Sequence, residues 1–396
     1  MTDAAEFYPP SPQGVPAAVT QIDSAYRSRA AGMIAGLILF LLIYVALIAG
    51  AAYGSYWCIS TAFGSPEPPR NQSYGRRTQT RSDARGSLFV GGIGAASGLL
   101  CIFLVKGLFK GRRVERDSFV KLNRADYPVL FDFIRRVYEE TGAPPPRRVY
   151  VSPDVNAALV YNTSLVNLIV PPNKDLLVGL GLVNVVDMAE FKAVLAHEFG
   201  HFAQRSVGLG SYLYVANQVM SDIIYGRDGL DRFVDAWAGI DIRISFPAWG
   251  LKAVLWVVRG MLSGIYRGLN LLHLSLGRQM EFNADNVAVR ATGSDALIHG
   301  LSRLGFATDC LADAGRSLAA AADHGVFTDD LFYHQTRAAE RLRKERKDVS
   351  LGIPPPLPED PSEKPTLFPH VDDGIPDQYR THPTDHMREK NAKRFY

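Results

Sequence analysis

From Ala30 to Pro66 the chain carries no charged residue, and no other feature restricts its fold so tightly. Backbone inside hydrocarbon must satisfy its own hydrogen bonds, which leaves helices and closed barrels as the structures that can span it. The run AAGMIAGLILFLLIYVALIAGAAYG exceeds the roughly 20 apolar residues that cross a bilayer as a helix. A cleaved signal peptide is the competing reading, but the tail in front is long and the run outlasts a signal peptide's apolar region. After a polar stretch, 66–85, holding Arg70, Arg76, Arg77, Arg81 and Arg85, a second uncharged run extends from Gly86 to Val105. Together they predict a two-helix transmembrane hairpin over 30–110, with the lipid bilayer as its partner and 1–29 on the same side as everything after 110. The pairs Gly32/Gly36, Gly50/Gly54 and Gly94/Gly98 have the small-xxx-small spacing of closely packed membrane helices, although glycine is common in such helices anyway. Arg27, Arg29, Lys110, Arg112 and Arg113 flank the spans tightly, and by the positive-inside rule they place the rest of the chain in the cytoplasm. The expected location is the cell's inner membrane, multi-pass.

The remaining composition is that of a folded domain. Of 396 residues, 43 are basic and 40 acidic, a net charge of +3, so no nucleic-acid footprint is expected. Cys58, Cys101 and Cys310 lie far apart with no CxxC pair, so a thiolate metal site is not expected and any metal must use histidine and carboxylate. Residues 1–29, rich in Pro, Ala and Ser without apolar periodicity, read as a disordered tail. Residues 126–140 read as an amphipathic helix ended by GAPPP. The segments RRVYVS, NAALVY and LVNLIVP follow as short strands.

Between 206 and 280 lies an apolar helical insert. If 249–280 is one helix, Lys252, Arg259, Ser263, Arg267 and Asn270 form a narrow polar stripe on it, suiting a helix buried against protein, lying at the membrane interface or spanning it. RQMEFNADNVAVRATG is helical in period and closed by Gly293. Residues 309–345 read as helix, 351–380 as a Pro-rich loop, and the last stretch as helix again.

The chemistry is concentrated in HEFGH, 197–201. Residues four apart share a helix face, so His197 and His201 can offer two nitrogens to one metal ion, with Glu198 beside them as a general base. Asp187 and Glu190 resemble a capping box at the start of this helix, and Phe191, Val194, Leu195, Phe199 and Phe202 keep apolar residues at helical spacing. A catalytic zinc needs a third protein ligand and an open position. His273, Glu281, Asp285, His299 and the later histidines are candidates. Glu281 and Asp285 stand out as an i, i+4 pair, one able to bind the metal and the other to orient a ligand histidine.

With EFNAD (281–285) as ExxxD, THPTDHMR (381–388) and the NAALVY strand, the chain resembles the HtpX and CAAX-prenyl-protease type of membrane zinc metallopeptidases over roughly residues 115–396. The resemblance implies an α+β, mainly α, zincin-like domain over 111–396 with a small sheet. It implies one zinc per chain held by His197, His201 and Glu281, with Asp285 behind, Glu198 as base and His382 as oxyanion donor. It also implies a protein or peptide substrate bound as an extended strand beside 156–161. Two departures stand out: bacterial members of that family often have two further spans where this insert is interrupted by charge, and the Pro-rich loop before THPTDHMR is long. A catalytically silent membrane adaptor is the rival reading, and an intact set of metal and base residues argues against it.

Overall fold

The computed structural model describes residues 7–21, 24–64, 79–108, 116, 118–160, 174–203, 220–221, 224–227, 229–240, 242–356, 365–370 and 382–394. The uncharged run becomes α1 (Ser24–Phe63), and the second apolar run lies in α2 (Gln79–Leu108). They pack along each other. A Cβ at Gly94 would lie 3.0 Å from the Cys58 Cβ, and the Ser55 and Ser97 hydroxyls donate across the contact to the carbonyls of Gly94 and Ala51, at 2.9 and 2.8 Å. Gly54, Gly94 and Gly98 therefore sit where helices meet; Gly32 and Gly50 face open space.

The soluble part is built on four strands, β1 (Val120–Leu122), β2 (Arg148–Ser152), β3 (Ala157–Val160) and β4 (Asp175–Gly179), in the order β1-β2-β4-β3. The β2/β4 pair is parallel, with Val149 opposite Leu176, and β3 runs antiparallel to β4 with Ala158 opposite Leu177. Before β2 comes α3 (Pro128–Thr141), opened by Pro128, whose missing N–H costs nothing there, and closed by Gly142 in the left-handed region (φ 72°). The short α4 (Leu180–Val183) leads into α5 (Met188–Ala203). One face of the sheet, α3 and α5 enclose the main core around Phe133, Val151, Leu176, Val178, Phe191 and Phe199. The insert follows as α6 (Gly229–Ala238) and then α7 (Ile242–Thr292), which runs unbroken for 51 residues until Gly293 ends it at φ 85°. The chain finishes with α8 (Ser294–Ala322), α9 (Leu331–Glu345) and α10 (Asp385–Ala392). This is the mainly helical α+β architecture expected.

Several expectations need correction. Residues 7–21 of the tail are not disordered. They lie across the domain as a strap, with a 3-10 turn at Ala17–Thr20 and Val19 buried. Its anchor is Lys192 of α5, a fully buried ammonium. Lys192 donates to the Pro9 carbonyl at 2.9 Å, pairs with Glu140 at 2.9 Å and sits 4.4 Å from the centre of the Tyr8 ring, while the Tyr8 and Ser11 hydroxyls bond Glu140. Isolated anchors leave no periodicity to read. The helix expected over 309–345 is two, α8 and α9, because Gly325 takes a positive φ of 73° and Asp330 caps the second through the N–H groups of Phe332 and Tyr333. The last helix stops at Ala392. β1 and β4 were not foreseen, and the strand expected at 165–171 lies outside the described residues. So do most of 206–221 and much of the Pro-rich loop, whose described parts, 351–356 and 365–370, are irregular.

Candidate metal centre

The capping box forms as read. Asp187 Oδ1 accepts from the N–H groups of Ala189 and Glu190, both at 2.8 Å, and Glu190 returns a bond to the Asp187 N–H at 3.0 Å. Arg303 of α8 holds the same glutamate at 2.8 Å. With its start pinned, α5 presents His197 and His201 on one face, ring centroids 4.8 Å apart. That face lies against α7 at Gly200, where an added Cβ would come within 3.0 Å of Ala284 Cα and Val287 Cβ. Only glycine lets the two helices approach so closely.

The approach brings Glu281 to both histidines. His197 Nε2 lies 3.4 Å from Glu281 Oε2 and His201 Nε2 3.8 Å from Glu281 Oε1, and one ligand atom from each residue falls within 4.8 Å of the others. Three atoms about 2 Å from a central zinc at tetrahedral angles stand about 3.3 Å apart, so the donor set and its spacing fit that ion with little movement. Among the described residues, His273 and His299 join no such cluster. Behind His197, Asp285 is fully buried and accepts from its Nδ1 at 2.9 Å, which fixes the tautomer that leaves Nε2 for a metal. Arg388 of α10 grips Asp285 with two bonds, from Nε at 2.9 Å and from one terminal nitrogen at 2.5 Å.

The other candidates fall around this group. Burial pushes the Glu198 carboxyl up to about 7, opposed by the His197 charge, increased by Glu281 and opposed again by the Leu159 N–H of β3. Burial alone would lower His197, but hydrogen bonds with Asp285 and Glu281 raise it to about 9; burial and then the His197 charge lower His201 to about 4. At neutral pH the metal-free His197 therefore carries a second ring proton, on Nε2, which a metal cation must displace. His382 stands at the rim, largely exposed, its Nδ1 3.1 Å from Glu281 Oε1. His386 turns away and bonds the Phe368 carbonyl at 2.8 Å. Sequence reasoning missed the buried Glu389, which accepts the N–H groups of Leu367 and Phe368 at 2.7 and 2.8 Å and so ties part of the Pro-rich loop to α10. No local pattern marks that role.

Residues 132–395 match the sequence profile of peptidase family M48. The chain belongs to that family. Similar proteins include a protease HtpX homolog 1 of Saccharolobus solfataricus, 27% identical over 52% of this chain and 64% of the relative. A protease HtpX homolog of Acidiphilium cryptum is 25% identical over 54% of this chain and 70% of its own length, and protease HtpX of Haemophilus influenzae 26% over 53% and 70%. The chain thus covers less than two thirds of the first of these. No solved structure matches. The M48 match takes in the metal-type cluster, Glu198, His382 and Arg388. Among the described residues, three helices, within Tyr26–Phe63, Phe89–Lys106 and Ala248–Thr292, are long and apolar enough to cross a membrane.

Proposed function

We propose that the chain is a membrane-anchored zinc endopeptidase, with one zinc held by His197, His201 and Glu281. One observation carries the reading: two helix-spaced imidazoles of α5 and a carboxylate of α7 converge within 4.8 Å, backed by a buried carboxylate on the metal-distal nitrogen of His197. Bound there, zinc would polarise the scissile carbonyl and lower the pKa of a water to near 7. Glu198 accepts a proton from the attacking water and passes it to the leaving amine, a task for which a carboxyl near 7 is suited in both directions. His382 donates to the oxyanion from the rim, with its ring steadied by Glu281. Asp285 and Arg388 keep His197 aligned. The substrate lies extended along β3, the last strand of the sheet among the described residues, whose Leu159 N–H already reaches Glu198. Its class is membrane proteins in quality control or processing, handled from the cytoplasmic face of the inner membrane.

The test is cleavage of a casein-like unfolded protein by the detergent-purified chain. Activity should vanish with a zinc chelator and return with zinc, and Glu198→Gln should be inactive while retaining about one zinc per chain. Full activity in Glu198→Gln removes the metallopeptidase mechanism; loss of the zinc as well makes Glu198 a ligand instead.

A further inference from the structure

Behind the start of α5, on the far side of Glu190 from the histidines, a turn at 350–353 gathers two arginines. The Ser350 carbonyl accepts the Ile353 N–H at 2.9 Å, and Gly352, at φ 68°, lies hard against the Phe306 ring. The two carbonyls inside the turn are each taken by a guanidinium. Arg343 of α9 donates from Nε to Leu351 at 2.9 Å, and Arg303 of α8 donates from Nη1 to Gly352 at 3.3 Å. Arg343 also stacks on Phe306, its Cζ 5.3 Å from the ring centre. Successive carbonyls are near neighbours, so two like charges stand side by side, which costs free energy unless counter-charge is supplied.

The counter-charge in place covers one of them. Arg303 Nε pairs with Glu190 at 2.8 Å, whereas Arg343 meets no carboxylate among the described residues. Asp309 and Asp313, which flank Cys310 on α8, are held by Arg346 and by Arg341 and Arg316. Both guanidinium groups line a cavity of about 170 Å³ between α4, α8 and α9, with Phe306, Cys310, Gln335 and Thr336 in its wall. Gln335 gives its amide N–H groups to the carbonyls of Gly181 and Ala307, both at 3.2 Å. Among the described residues nothing accepts from Arg303 Nη2 or from either terminal nitrogen of Arg343. The cavity therefore offers unused guanidinium donors and a surplus positive charge. It is smaller than the roughly 300–1,000 Å³ of a drug-sized ligand's pocket, which limits the occupant to a small ion.

We propose that this cavity is a binding site for a small phosphate-type oxyanion, held between Arg303 and Arg343. Guanidinium forks match the oxygens of such an ion in both geometry and charge. Arg303 keeps Nε on Glu190 while Nη2 serves the anion, so occupancy ties α9 and the 350–353 turn to the capping box that opens α5.

The experiment titrates inorganic phosphate into the detergent-purified full chain by calorimetry, against formate at equal ionic strength, and is repeated with a zinc chelator so that phosphate taken up by a metal ion is told apart. One phosphate should bind per chain, with or without chelator, at least fivefold more tightly than formate. Arg343→Gln should weaken it at least tenfold and Arg343→Lys, which keeps the charge but not the fork, at least threefold. Arg337→Gln, on an exposed part of α9, should match the parent. Thermal midpoints without phosphate check that each variant folds, and Arg343→Lys decides if Arg343→Gln does not. Phosphate should also slow hydrogen exchange at the amides of 188–192 in the parent but not in Arg343→Lys. No binding at about 10 mM phosphate overturns the site. So do Arg343 variants that bind like the parent, or formate binding equally well. Unchanged exchange at 188–192 overturns the coupling to α5. Neither peptide cleavage nor zinc binding is read, so the inference fails or stands apart from the proposed zinc chemistry.

Discussion

At the scale of the residue, the proposed zinc site separates ligands from the groups that orient them. Glu281 touches both histidines whereas Asp285 touches only His197. Glu281→Ala should therefore remove most zinc binding, and Asp285→Ala should weaken it by roughly 10–100-fold, as titration against a chelating dye would show. Unchanged zinc content in Glu281→Ala would move the third ligand elsewhere. The proton on His197 gives this affinity a pH dependence. With its folded pKa raised to about 9 above the ordinary 6.5, the zinc-free protein is stabilised below 6.5 and loses that contribution as pH rises through 9. Zinc bound as proposed would displace the same proton, so its affinity should rise with pH over that window, by up to tenfold per unit between about 7.5 and 9. The thermal midpoint of zinc-loaded protein should draw further above that of chelator-treated protein across this range, and a constant gap would contradict it. His382→Ala should lower kcat by roughly 10²–10³ with zinc retained and KM little changed, the mark of a donor used only in the transition state. His386→Ala should be mild, since that ring serves the Phe368 carbonyl.

At the scale of the element, the contact of α5 with α7 decides whether a site exists at all. Gly200→Ala would force the two backbones apart at Ala284, costing about 1–3 kcal/mol in stability and moving Glu281 from the histidines, so zinc content and thermal midpoint should fall together. A variant with normal zinc content would show that the helices separate without disturbing the ligands. Elements also differ in how far the sequence discloses them. HEFGH and EFNAD were legible because helical spacing places His197 with His201 and Glu281 with Asp285 on single faces, and the capping box marked the helix start correctly. The two uncharged runs were legible because hydrocarbon admits little else. The short β1 was not, because Val120, Lys121 and Leu122 offer too few residues for alternation to register. The strap was not, because Lys192 looks like any surface lysine until Tyr8 and Pro9 fold over it from more than 180 positions away. The separation of α8 from α9 rests on Gly325 and Asp330, ordinary turn chemistry that an apolar pattern conceals.

At the scale of the molecule, one rod joins the lipid-facing part to the catalytic group. The 51 residues of α7 extend about 77 Å, and with its apolar part up to Arg259 placed in the bilayer, Glu281 would stand some 33 Å beyond the boundary. A lever of that length turns a tilt of about 5° at the boundary into a displacement of about 3 Å at Glu281, against a coordination tolerance of about 0.2 Å. Hydrophobic mismatch is relieved chiefly by helix tilt, so acyl-chain length becomes a mechanical input to the ligand set unless α5 travels with the rod. Reconstituted into vesicles of graded chain length, the protein should hydrolyse peptide fastest where the hydrocarbon is about 30 Å thick and more slowly on either side, with zinc affinity following the same curve. A flat response would mean that the Gly200 contact is firm enough to swing the whole catalytic domain with the helix, making the enzyme indifferent to the thickness of the sheet of lipid it is planted in.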